Sequence, residues 1–216
     1  MSDQSDNIIK DMQKCGYSIM RHLKKRDIDL FLYLCYVASY MIDENVVSLS
    51  YAELKKETHY PYSASDPTYT AFIQKVIQQM DKDFIVNHKD VHILNLYYID
   101  GENALLHLSY NPYGLNVLKS IGLSISELNI NQCSKLKSVY SKRLYKMLLD
   151  TEEERRLILS VANLRYWLHI PNTYTVKDIN EKILKYVAED IRNIESRFKI
   201  YKIVDGRKIT HYEFEF

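Results

Sequence analysis

Two Asp-Gly pairs set the frame for this chain. Asp100-Gly101 joins the strand-like runs His92–Ile99 and Ala104–Tyr110, and Asp205-Gly206 joins Phe198–Val204 and Lys208–Phe216. Asp-Gly between such runs is a strong β-hairpin signal, because both residues tolerate the left-handed turn positions that suit twisted strands. The 216 residues contain only 5 glycines, and two of them fall in these turns. The fold must therefore accommodate two hairpins about a hundred residues apart.

The same element order precedes each hairpin. In the first half, Leu30, Phe31, Leu34, Cys35, Ala38 and Met41 recur at helical spacing. Val46-Val47-Ser48-Leu49 is a short β-like run, and Ser50 with Glu53 carries a capping-box signature for a helix over 51–58. Asp66-Pro67 starts a third helix, with Tyr69, Phe72, Ile73, Val76, Ile77 and Met80 on its apolar face. After a linking stretch, 111–132, the order returns. Residues 134–150 read as one helix with Leu136, Tyr140, Leu144, Met147 and Leu148 on one side. Leu157-Ile158-Leu159 is strand-like, and Ser160 caps a short helix through Leu168. His169-Ile170-Pro171-Asn172 is a turn. A long helix follows, with Val176, Ile179, Ile183, Leu184, Val187, Ile191 and Ile194 on its core face.

Two helices joined by a tight turn and closed by a hairpin make a winged helix. The expected fold is α+β and mainly helical, with tandem winged-helix (helix-turn-helix plus β-hairpin) domains at 1–132 and 133–216. The halves are matched by element order and turn chemistry, not by sequence identity.

The formal net charge of +1 conceals a division. Residues 133–216 hold 17 Lys+Arg against 12 Asp+Glu, and residues 1–132 hold 12 against 16. Lys135, Lys137, Lys142, Arg143 and Lys146 follow one another with no acid before Asp150. Such a row suits a phosphate-tracking surface, where each cation displaces condensed counterions. It equally suits the solvated face of an ordinary helix. Arg207-Lys208 at the second hairpin tip can reach a neighbouring minor groove or backbone. On the long helix, Thr175, Lys177, Asn180, Glu181, Lys182 and Lys185 lie off the core face, where a recognition helix approaches base edges. The pairs Asp178–Lys182 and Glu181–Lys185 are also the i,i+4 pairs of a solvated helix.

The residues from Ser138 onward resemble the helix that opens the second domain of iteron-binding plasmid replication initiators. That family has a Ser-x-Tyr-Ser-x-Arg-Leu-Tyr-x-x-Leu pattern, met here by Ser138, Tyr140, Ser141, Arg143, Leu144, Tyr145 and Leu148. Leu164-Arg165, Tyr174 and Val187-Ala188-Glu189-Asp190-Ile191 are similar to the segment that follows, and Gly206-Arg207-Lys208 with Phe214 to the family's wing. The resemblance implies a replication initiator that binds double-stranded DNA at direct repeats of the origin. It implies main contacts from the second domain, and auxiliary contacts and dimerisation from the first. Monomers would open the origin and recruit host initiator and helicase proteins; a homodimer in equilibrium with them would bind an operator and repress the initiator's own promoter. The implied DNA-binding set is Lys135, Lys137, Ser141, Lys142, Arg143, Arg165, Thr175, Lys177, Asn180, Glu181, Lys182, Lys185, Arg207 and Lys208.

Other chemistries are weaker. A nicking enzyme would need a His-x-His metal pair, which is missing, although 19 tyrosines offer a nucleophile. His88 and His92 are the nearest thing to a metal pair. No GxxxxGK phosphate loop occurs. No cofactor and no catalytic activity are expected. A two-domain transcription repressor without initiator activity is the nearest alternative, followed by a nicking enzyme and a protein-interaction module. The N-terminus lacks a secretory pattern, and the longest uncharged apolar run (30–42) falls short of the ~20 residues needed to cross a bilayer. The three cysteines, Cys15, Cys35 and Cys133, form no CxxC pair. A cytoplasmic location with reduced thiols and no membrane contact is expected.

Overall fold

A computed structural model describes residues 14–216 apart from 15, 43, 63–64, 83–84, 87–88, 91 and 152–154, with backbone alone at 82, 85–86 and 89–90. The chain divides into two compact units, Met1–Ser134 and Lys135–Phe216.

The first unit is built from α1 (Lys25–Ser39), β1 (Val46–Ser50), α2 (Tyr51–Glu57), α3 (Asp66–Lys82), β2 (Ile85–Val86), β3 (Lys89–Asp90), β4 (Leu94–Asp100) and β5 (Leu105–Tyr110), followed by α4 (Pro112–Gly122) and α5 (Glu127–Lys135). Residues 16–22 are also helical. Strands β1, β5 and β4 form one antiparallel sheet in that order, and β2 pairs with β3 in a second, two-stranded sheet. Phe31, Leu34, Leu54, Ile73, Ile77, Leu106, Leu108, Val117 and Leu118 are buried in the core.

The second unit contains α6 (Val139–Leu149), β6 (Arg156–Ser160), α7 (Val161–Leu168), α8, β7 (Lys199–Asp205) and β8 (Lys208–Glu215). Helix α8 runs unbroken through Val176–Asp178, a π-helical Ile179–Leu184, and Lys185–Arg192. Its sheet has the order β6-β8-β7. In both units, then, the hairpin following the helix pair inserts its second strand beside the strand that precedes that pair. This is the tandem winged-helix architecture expected from the element order.

The repeat also goes further than element order. Residues 49–61 realign with residues 159–171, and Leu49, Ser50, Ala52, Leu54, His59 and Pro61 are identical to Leu159, Ser160, Ala162, Leu164, His169 and Pro171. The serine and histidine identities have matching structural jobs. Ser50 and Ser160 cap their helices by accepting from Glu53 N (3.2 Å) and Asn163 N (3.1 Å). His59 and His169 both take the left-handed conformation, φ 50° and 56°, at the helix end. Tyr60 N donates to Lys55 O and Ile170 N to Arg165 O, each at 2.9 Å. Identity between the halves, not evident along the chain as a whole, is thus present locally. The identity is confined to one strand–helix–turn segment, whose cap and left-handed exit restrict residue choice.

Four expectations change. The stretch 111–132 is largely helical. Asn111 caps α4, with Pro112 at its first position, and Ser126 and Asn129 bond reciprocally at the start of α5. The helix expected over 134–150 is two pieces, broken at 136–138, with Ser138 capping α6 by accepting from Tyr140 N. The capping box at Ser50 is half formed, because the Glu53 carboxylate accepts from Tyr33 Oη (2.7 Å) instead. In the first hairpin, residues 101–104 form a longer loop, in which Asp100 Oδ1 accepts from Glu102 N (3.2 Å) and Asn103 N (3.0 Å) and Ala104 takes φ 53°. The second hairpin does turn tightly, through Gly206 (φ 58°) and Arg207 between the paired Asp205 and Lys208.

Helix α4 lies close on α1, and Gly122 makes that approach possible. A Cβ there would fall inside the Cys35 carbonyl and 2.9 Å from Ser39 Cβ. Because backbone cannot yield as a side chain can, Gly122→Ala is expected to destabilise the protein by about 2 kcal/mol, measured by urea denaturation. Unchanged stability would show that α1 and α4 are not seated this closely.

Candidate nucleic-acid interface

The second unit presents a helix-turn-helix whose turn is braced by two arginines. Arg143, on α6, donates through Nη1 to Leu168 O (2.6 Å), a carbonyl at the α7 terminus. Arg165, on α7, donates to Tyr174 O (2.6 Å) and Pro171 O (3.4 Å) across the turn into α8. The α7 C-terminus has unsatisfied carbonyls, and a guanidinium is suited to meet several acceptors from one rigid plane.

Helix α8 starts on a closed cap. Thr175 Oγ1 accepts from Asp178 N (3.1 Å) and donates to Asp178 Oδ2 (2.6 Å), which also accepts from Thr175 N (2.8 Å). Lys182 joins Asp178 at 2.6 Å and stands over the Tyr174 ring. The bonds from Lys182 and Thr175 hold the Asp178 carboxyl well below the usual carboxylate range, and Asp178 raises Lys182 in turn. The core face is fixed by Ile179, Ile183, Leu184, Val187 and Ile191. On the opposite side, Lys177, Glu181 and Lys185 stand exposed at four-residue spacing. The π segment underlies this stripe; such widened turns recur at functional sites.

The candidate residues separate into three groups. Lys135, Lys137, Thr175, Lys177, Glu181, Lys182, Lys185, Arg207 and Lys208 are exposed, with Arg207 and Lys208 at the β7–β8 tip. Asn180 and Arg165 are half-buried. Asn180 Nδ2 donates back to Val176 O (2.7 Å), so its amide does not present the free donor–acceptor edge expected of an adenine reader. Ser141, Lys142 and Arg143 are buried, and so is Lys146. The row of cations is thereby split: Lys135 and Lys137 stay exposed, whereas α6 is enclosed along Ser141–Leu149 and the Lys146 ammonium bonds Asp150 at 2.5 Å. A run of cations in the sequence gives no sign of which side of a helix is covered.

Two features were not foreseen. Tyr186 is exposed beside Lys185, offering a flat apolar surface next to the basic stripe. Asp190 is buried and accepts from Lys137 N (3.0 and 2.8 Å) and Ser138 N (3.1 Å), fastening the end of α8 to the start of α6.

Among the described residues no group of three or more His, Cys, Asp or Glu is placed to hold a metal ion. His92 pairs with Asp81 at 3.3 Å, while His88 and Cys15 lie outside the described residues. No helix among the described residues is long and apolar enough to cross a membrane.

A strand, a helix-turn-helix and a hairpin wing, occurring twice, define a tandem winged-helix protein. Residues 10–149 match the family described as Initiator Replication protein, WH1, and residues 160–216 match Initiator Rep protein, WH2. The chain belongs to this family of initiator Rep proteins. Among solved structures it is similar to the one titled "Crystal structure of Pi initiator protein in complex with iteron DNA", with a TM-score of 0.68 and 14% identity over 92% of each chain. No curated protein matches it.

Proposed function

We propose that this chain initiates plasmid replication by binding double-stranded direct repeats, or iterons, at an origin. The observation that carries this reading is in the second unit: the WH2 segment places exposed Lys177, Glu181 and Lys185 along α8, with Arg207 and Lys208 at the adjoining wing. The stripe would enter the major groove and the wing tip would meet backbone or minor groove. Lys135 and Lys137 would add phosphate contacts. Lys182, held by Asp178, contributes less than its charge suggests. The structural relative carrying iteron DNA supports the same reading.

The first unit, residues 1–132 in the sequence division, would supply auxiliary contacts and the homodimer. Its sheet supports this role. Val46, Leu96 and Tyr98 are exposed, and strand register places them on one face with Ser48 and His107. Exposed apolar side chains gathered on one face support an interaction surface there. The monomer would open the origin and recruit host initiator and helicase proteins, the dimer would repress the initiator's own promoter, and both would act in the cytoplasm. No catalytic step or cofactor is ascribed to the chain.

The test is anisotropy of labelled origin duplex with the full chain at several salt concentrations. Lys177→Ala with Lys185→Ala is expected to weaken binding at least tenfold and to reduce the slope of log affinity against log salt by about two. Salt-independent binding, or an unchanged slope in the double variant, would overturn the placement of α8 in the groove.

A further inference from the structure

Building on the DNA-binding reading, we infer that Glu181 is a base-selecting residue of α8 and that the base it selects is cytosine. Helix α8 carries four acids, Asp178, Glu181, Glu189 and Asp190. Asp178 is closed by Thr175 and Lys182. Asp190 is buried against the start of α6. Glu189 lies two turns further along, beyond the N-terminal part of a recognition helix that approaches base edges. Glu181 is left: its side chain is 61% exposed, with Lys177 and Lys185 four positions to either side.

A carboxylate carried into a groove walled by phosphates is repelled. Lys177 Nζ, 3.9 Å from Glu181 Oε1, offsets part of that repulsion without closing the carboxylate off. An ionised carboxylate only accepts hydrogen bonds. In the major groove cytosine offers its N4 amino group with no acceptor on the same base, whereas the adenine amino group stands beside the N7 acceptor. Guanine and thymine present acceptors that meet the carboxylate unfavourably. Glu181 therefore rejects three bases and rewards one, so it acts on specificity more than on affinity. The other polar side chain at this level, Asn180, is turned back onto Val176 O and leaves the position to Glu181.

The experiment selects from a duplex library randomised over about two helical turns, using the full chain as wild type, Glu181→Gln and Glu181→Ala. Melting curves that coincide would show that the exposed substitutions leave the fold intact. The wild type is expected to enrich a motif with one position fixed as cytosine. Both variants should lose that preference at least tenfold at that position alone. If the wild type enriches a motif that both variants share unchanged, the assignment of Glu181 is wrong and the DNA reading stands. If the wild type enriches nothing, the DNA reading fails and Glu181 with it.

Discussion

Asp190→Ala is expected to lower the unfolding free energy of the second unit by about 3 kcal/mol. An acid in the last turn of a helix faces the negative end of the helix dipole and is misplaced there. Asp190 holds that position because its carboxylate reaches the start of another helix, accepting from Lys137 N and Ser138 N at 2.8–3.1 Å. Those donors belong to the positive end of α6, so an arrangement unfavourable for α8 alone becomes favourable for the pair. Alanine leaves both N–H groups without their acceptor and frees the α8 terminus from α6. Asparagine keeps one acceptor oxygen and should cost roughly half as much. Trp167 is the only tryptophan and lies on α7, so its emission during urea unfolding reports on this unit. A loss below ~1 kcal/mol would show that water serves these donors as well as Asp190 does.

Features that depend on near neighbours were legible in the sequence. Gly206 permits the tight second turn because it takes the left-handed conformation, φ 58°, although Asp205 itself is paired with Lys208 in the strand ladder. Ser160 caps α7 because its acceptor needs an N–H three positions on. The apolar period of α8 locates its buried face despite the π segment. Signals for α4 and α5 were also present, as Asn111-Pro112 and Ser126-x-x-Asn129, but a two-fold winged-helix plan has no slot for extra helices between its halves. The identity between 49–61 and 159–171 is spread over isolated positions and becomes evident only once the equivalent strand, cap and turn are superposed.

The candidate site was half legible. Lys177, Glu181, Lys185 and the wing tip follow from being opposite a core face or at a turn. The roles of Arg143 and Arg165 do not, because their acceptors are carbonyls 25 and 6–9 positions away and any residue supplies a carbonyl. The same holds for Asp190, whose donors are more than 50 positions distant. Charge patterning recorded α6 as the most basic helix of the chain. Packing makes it one of the most enclosed.

That enclosure has a measurable consequence at Lys146 and Asp150. Their side chains are 0% and 3% exposed and meet at 2.5 Å. The same Lys-to-Asp spacing on a surface would contribute a few tenths of a kcal/mol, with the order of charges unfavourable to the helix dipole. Inside the protein, removing one partner takes the opposite charge away from a group held in a poorly solvating environment. Asp150→Ala is therefore expected to cost about 3–5 kcal/mol. Lys146→Met combined with Asp150→Ala removes both charges and keeps an unbranched apolar stem, so the double variant should recover most of that loss. Urea unfolding followed by Trp167 emission measures both. A single-variant loss below ~1 kcal/mol would mean that Lys146 is solvated and available to phosphate after all. A double variant as unstable as the single would assign the loss to packing around α6. The outcome decides whether the basic helix that first suggested DNA is a contact surface or part of the frame that holds α7 and α8 in place.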